Sequence, residues 1–168
     1  SQDKALRNTK PIILKIWKEF EKLTGRLYQP IIGYNFEDAD TLLIMMGSFS
    51  ETAANAVDNL REKGKKVGLL MIHLWRPFPY QEVRSFAGNA KTLIVFDRSI
   101  SYGGPAPVCS EIETAFYPLA KKPKVVSYVG GLGGRDVTVE HFENIFNSGI
   151  AKTMSSTFDT IETIGVRE

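Results

Sequence analysis

The 168 residues are 43% apolar and 24% charged, ordinary globular usage that argues against a disordered or fibrous chain, and at this length one core can bury roughly 70% of the surface exposed on unfolding. Acidic and basic residues are interleaved around a formal charge of only +2, so no field of one sign gathers nucleic acid or an anionic membrane. No apolar stretch approaches the roughly 20 residues that span a bilayer.

Ile12, Ile13, Ile16, Trp17, Phe20 and Leu23 recur at helical spacing among lysines and glutamates, and Thr24-Gly25 supplies a stop, so residues 11–23 are predicted to form an amphipathic helix. Residues 1–25 are read as a linker helix and residues 26–149 as one α/β domain. Residues 26–35 alternate loosely, and Pro30, which has no donor for a ladder, places them at a sheet edge. The apolar run 42–46 ends at Gly47-Ser48 and is followed at helical spacing by residues 51–63. Ser48 or Ser50 can cap that helix, and Gly64 can take the left-handed conformation that ends it.

Residues 66–74 are the next apolar strand, Trp75-Arg76-Pro77-Phe78-Pro79 a rigid loop, and residues 80–87 a short helix begun by Pro79. Residues 92–96 form a strand closing at Asp97-Arg98. Gly103-Gly104-Pro105 then breaks the chain before a helix over 108–119 with Cys109, Ile112, Ala115, Phe116 and Leu119 on one face. Residues 125–129 are a further strand, and Thr138 caps a helix over 139–147. In residues 150–168, Phe158, Ile161 and Ile164 stand at helical spacing, which reads as an extension toward a neighbouring domain.

Strands alternating with helices favour parallel pairing, since each crossover needs a dozen or more residues. The expected fold is a three-layer α/β/α sandwich with a mainly parallel sheet of about five strands. Its functional edge should lie where strands end: at Gly47-Ser48, Arg76-Pro77, residues 97–104 and residues 130–136.

Chemistry-bearing residues are sparse. Gly47-Ser48 between a strand and a helix resembles a minimal anion site, but without a phosphate-loop pattern a capped turn is the better reading. Gly130-Gly131-Leu132-Gly133-Gly134-Arg135-Asp136 permits close backbone approach, with Arg135 offering a planar fork of donors and Asp136 placed to hold it or to cap the next helix. Asp97-Arg98, with the Gly103-Gly104 turn, forms a second polar group on the same edge, for which an interdomain ion pair is a sufficient role. The candidate docking or ligand edge is thus Ser48, Arg76, Asp97, Arg98, Gly103, Gly104, Arg135 and Asp136. No catalytic residue and no metal ligand set is identified, since His73 and His141 lack ligand spacing. Lys121, Lys122 and Lys124 are read as a solvated loop.

Cys109 is the one cysteine, so no disulfide closes within the chain and a cytoplasmic setting is expected. It falls on an apolar helix face, as an inert hydrophobe would. An iron–sulfur cluster takes about four thiolates and is excluded from this chain alone. The chain opens Ser-Gln-Asp-Lys with no initiator Met, and it reads as a segment of a longer polypeptide.

Three motifs appear in order: Leu74-Trp75-Arg76-Pro77-Phe78-Pro79, Phe96-Asp97-Arg98-Ser99-Ile100-Ser101-Tyr102-Gly103, and Val129-Gly130-Gly131-Leu132-Gly133-Gly134-Arg135-Asp136-Val137-Thr138. Together they resemble the pyruvate:ferredoxin oxidoreductase family over about residues 10–146. Trp75 before the arginine and the extra Gly131 depart from the commoner pattern. In that family, the resemblance implies, thiamine diphosphate attacks the carbonyl of a 2-oxoacid, carbon dioxide leaves, electrons pass through iron–sulfur clusters to ferredoxin, and coenzyme A accepts the acyl group.

 The substrate expected from the resemblance is a 2-oxoacid, with pyruvate foremost.

On the same resemblance, this region corresponds to the transketolase C-terminal-like domain, which supports assembly and contains no position matching a family catalytic residue. Thiamine diphosphate, magnesium and the clusters would sit elsewhere in the parent enzyme, with no cofactor on this chain. Its partners would be the other domains or subunits, and ferredoxin through the whole complex. A competing reading is a free-standing nucleotide- or coenzyme A-binding module, in which the Gly47-Ser48, Gly103-Gly104 and 131–135 loops converge on a phosphate.

Overall fold

Apolar runs too short for helices become strands, and the stretches of helical period between them become the crossovers. The computed structural model describes residues 1–155 and 161–165. Its elements are α1 (Gln2–Arg7), α2 (Lys10–Thr24), β1 (Ile31–Tyr34), β2 (Thr41–Met45), α3 (Phe49–Glu62), β3 (Val67–Ile72), α4 (Tyr80–Ala87), β4 (Thr92–Asp97), α5 (Pro107–Phe116), β5 (Lys124–Val129), a 3-10 turn at Leu132–Gly134, α6 (Val139–Met154) and β6 (Ile161–Thr163). The sheet runs β1-β3-β2-β4-β5-β6. β1 is antiparallel to β3 at one edge, and the other neighbours are parallel.

The strand side chains alternate between two cores. Leu42 and Ile44 pack with Val83 and Ala87 of α4 and with Ile112, Ala115 and Phe116 of α5. Leu43 and Met45 pack on the other face with Ala53, Ala56, Val57 and Leu60 of α3 and with Phe142, Ile145 and Phe146 of α6. This is why β2 reads as an unbroken apolar run: every residue in it is buried, as expected for a strand covered on both sides. The result is the three-layer sandwich expected from the sequence. The chain winds outward from β2 in both directions, so a crevice opens at the C-terminal ends of β2 and β4.

Among the described residues the sheet has six strands, one more than the roughly five expected. Ile161–Thr163, expected at helical spacing, instead pairs parallel with Ser127, Tyr128 and Val129 of β5. That pairing covers backbone groups which β5 would otherwise leave open at the sheet edge, and Ile164 donates its N–H to the Val129 carbonyl at 2.8 Å. Phe158 lies outside the described residues. α6 also runs to Met154, through the boundary drawn at residue 149, while α5 stops at Phe116, short of Leu119.

Gly149 explains how closely α6 lies on the sheet: a Cβ there would come within 2.6 Å of Ile94 Cδ1 and 2.9 Å of its Cγ1. Ile94 is fully buried and has little room to yield. Helix propensity alone would make Gly149→Ala stabilising by about 1 kcal/mol. Overpacking is expected to reverse the sign, with a net loss of about 1–3 kcal/mol and a melting temperature lower by several degrees. In an Ile94→Val background, which removes Cδ1, thermal unfolding should show most of that loss gone.

Candidate functional site

Parallel pairing brings the C-terminal ends of β3, β2, β4 and β5 to one edge of the sheet. At the end of β2, Gly47 (φ 90°) turns the chain into α3. Ser48 stands exposed at the N-cap with no side-chain cap bond, and Ser50 Oγ donates to the Gly47 carbonyl at 2.8 Å. The predicted serine cap therefore does not form. Ser48 already has helical backbone angles (φ −65°, ψ −23°), whereas a capping side chain reaches back from extended backbone.

The crevice beside Ser48 is filled by a stack. The Arg98 guanidinium lies 4.4 Å over the Phe49 ring, and Gly131 closes against both. A Cβ on Gly131 would sit 2.7 Å from Phe49 and 3.3 Å from Arg98 Nε, and its φ of 69° is itself a glycine conformation. The glycine that departs from the commoner family pattern is thus the one in contact with the arginine.

Asp97 has a different task from the interdomain ion pair first assigned to it. It is buried, and its two oxygens accept from the Val108 N–H at 3.0 Å and the Cys109 N–H at 3.3 Å. The N-cap residue of α5 is Ala106, whose side chain can accept nothing, so β4 supplies the cap from its own terminus. Burial pushes the Asp97 carboxyl above its ordinary value, against the opposing effect of those two bonds. Cys109 alongside is buried as expected, and burial pushes its thiol up to about 12.

The remaining edge residues are each tied to their own surroundings. Arg76 lies 4.3 Å over Trp75 and pairs at 2.6 Å with Glu111 of α5, which also accepts from the Tyr80 hydroxyl at 2.5 Å. Glu111 and Tyr80 gave no sequence signal, because their partners lie more than 30 residues away. Gly103 (φ 75°) and the Gly104 N–H bond to the Ser101 carbonyl at 3.1 Å form a turn that leaves Tyr102 almost wholly exposed. Arg135 is exposed and donates to the Leu132 carbonyl at 3.2 Å within its own loop. Asp136 does not cap α6. Thr138 does so, accepting from the His141 N–H at 3.3 Å while His141 Nδ1 accepts from the Thr138 N–H at 3.1 Å. Among the described residues, no hydrogen bond or ion pair joins any two of the eight candidate positions.

The donor set does not fit an iron–sulfur cluster, having one cysteine whose thiol is held protonated. Among the described residues no group of three or more His, Cys, Asp or Glu is placed to hold a metal ion. No helix among them is long and apolar enough to cross a membrane. A groove of about 960 Å³ opens at the opposite edge of the sheet, among Arg84, Lys91, Thr92, Lys124 and Thr153. Of its cations, Lys91 pairs with Asp40 at 3.0 Å and Lys124 donates to the Thr153 carbonyl.

The two-sided α/β sheet with this terminal edge is an α/β/α fold, and its likeness to transketolase is one of architecture alone. A split-gene transketolase, solved as an inactive β4 tetramer, shares the fold with a TM-score of 0.56 over 76% of this chain and 45% of that one, at 14% identity. The family described as pyruvate:ferredoxin oxidoreductase core domain II matches residues 39–142, and the chain belongs to it. The pyruvate synthase subunit PorA of Thermotoga maritima is 38% identical over 167 residues, which are 99% of this chain and 42% of that one. The ketoisovalerate oxidoreductase subunit VorA of Pyrococcus horikoshii is 39% identical over 144 residues, 84% of this chain and 36% of that one. The chain therefore spans less than half the length of these relatives.

Removing the Asp97 cap leaves two buried amides unpaired, so Asp97→Ala is expected to cost about 1–3 kcal/mol at neutral pH. An acid whose pKa is higher folded than unfolded binds more protons in the folded state, so its contribution to stability falls as pH rises from the ordinary value near 3.8 through the raised one, and is constant above. Wild type should therefore gain stability relative to Asp97→Asn on acidification through that window. Denaturant unfolding across the acid range measures the difference, and a flat difference curve would remove the buried, titrating carboxylate from the account.

Proposed function

We propose that this chain is the non-catalytic assembly domain of a cytoplasmic, thiamine-diphosphate-dependent 2-oxoacid:ferredoxin oxidoreductase acting on pyruvate. The observation that carries this reading is the 38% identity to a pyruvate synthase subunit across 99% of the chain. The chemistry of the edge agrees with it: Asp97 caps a helix and Arg76 holds a loop, and neither is arranged as an acid, base or nucleophile. Arg98 and Arg135 pair with no carboxylate among the described residues, and Asp136, next to Arg135 in the chain, is exposed. On this reading, Ser48, Arg98, Gly103, Gly104, Arg135 and Asp136 meet the other domains or subunits, with Arg76 and Asp97 shaping the loops that present them.

Thiamine diphosphate with magnesium, and the iron–sulfur clusters, belong on this reading to those other domains and subunits, and ferredoxin meets the complex there. The residues that read the 2-oxoacid side chain belong there too, and pyruvate is preferred because the PorA match covers more of the chain than the VorA match.

Dye reduction with coenzyme A and either pyruvate or 2-oxoisovalerate tests the reading on the assembled complex and on the 168-residue chain. Turnover is expected from the complex, faster with pyruvate, and none from the chain by itself. Arg135→Ala should change the stability of the chain by less than about 0.5 kcal/mol, and Arg98→Ala, which loses the contact with Phe49, by about 0.5–1 kcal/mol. In the complex each should weaken subunit affinity by about 2–4 kcal/mol where a docked charge loses its partner. Unfolding of the chain with unchanged subunit affinity would make these arginines internal supports and end the docking assignment.

A further inference from the structure

α2 is a 15-residue helix in which no residue is buried. At 100° per residue its apolar side chains form one broad face, of which only half is used. Ile13, Leu14 and Trp17 are half-buried toward the body, where Trp17 and Phe20 stand 6.2 and 5.7 Å from Tyr28, itself 6.1 Å from His73. Lys10 is pinned to Glu82 of α4 at 2.5 Å. The other half points away: Ile12, Ile16 and Leu23 are 59%, 55% and 85% exposed, and Phe20, on the border beside Tyr28, is 41% exposed. An isolated helix of this length is marginal in water, and an apolar stripe of this extent marks a contact surface.

We infer that the outward stripe Ile12-Ile16-Phe20-Leu23 is covered by another domain of the same polypeptide, which α2 links to this sheet. The inference rests on the proposed function and names the partner of its linker. The Thermotoga maritima relative aligns across both N-terminal helices, yet that alignment occupies only 42% of its length, so the polypeptide carrying the homologous helix has more than this chain's length still to pack. The family match begins at residue 39, beyond α2, so the helix stands outside the family's core. Area decides against a second copy: at roughly 200 Å² per large side chain the stripe offers on the order of 400–500 Å², short of the about 800 Å² each partner buries in a stable interface. A domain on the same chain needs less, because the tether holds it at an effective concentration in the millimolar range.

Hydrogen–deuterium exchange of the α2 amides tests this in the 168-residue chain and in the full-length subunit. Protection is expected to rise about tenfold or more in the subunit. Ile16→Glu with Leu23→Glu should abolish that rise while leaving the melting temperature of the 168-residue chain unchanged, and Lys15→Glu on the charged face should leave the rise intact. Equal exchange in the two proteins overturns the inference. So does a 168-residue chain that sediments as a dimer and is made monomeric by the double glutamate variant. Turnover of a 2-oxoacid by the assembled complex that contains the same wild-type subunit keeps the two readings apart: turnover by the complex with unprotected α2 removes the docking and leaves the function, whereas protection without turnover by the complex does the reverse.

Discussion

Because α3 and α6 cover one face of the sheet and α4 and α5 the other, every residue of β2 and β4 is buried, and all but Thr41, Thr92 and Asp97 lie in an apolar core. A charge can survive in such a strand only at its end, where helix termini or solvent satisfy it. Asp97 occupies that position, the last residue of β4, with its carboxylate given to the first amides of α5. That bond fixes where α5 begins, and Glu111 on α5 in turn holds the Arg76 loop and the Tyr80 hydroxyl. The polar edge is thus a consequence of burying the sheet twice, and its loops are held from behind by the same helices that cover the core.

The edge supports presentation more readily than chemistry. Its charged groups are separated: Arg76 pairs with Glu111, Asp97 caps α5, Arg98 stacks on Phe49 and Arg135 bonds within its own loop, so among the described residues they do not converge on a common point as an active site requires. The Phe49, Arg98 and Gly131 stack fills the crevice where doubly wound sheets commonly take a ligand. On the proposed reading, a domain of this design keeps its shape while the reacting groups lie on its neighbours.

The strands of the core were legible because burial on both sides writes an unbroken apolar run between a glycine, a proline or a charge, as at 42–46 and 92–96. β6 was not, since Ile161 and Ile164 fit a helix equally well and its strand character comes from the open edge of β5, set by distant residues. The edge was legible as a place and illegible as a set of bonds. Asp97 reaches amides 11 and 12 residues onward, and Arg98 finds Phe49 only because β2 and β4 are neighbours. His141 escaped notice because it stands where a capping box usually carries Glu or Gln.

The two tryptophans stand in unlike surroundings. Trp75, half-buried like Trp17, lies beneath the Arg76 guanidinium and edge-on to Phe78, packed against the core. Trp17 lies on the border between the contacted and the open side of α2, half in water. Indole emission shifts to shorter wavelength as water leaves the ring, so the chain carries an intrinsic optical gauge in which one fluorophore gives a steady background and the other responds to whatever settles on the helix.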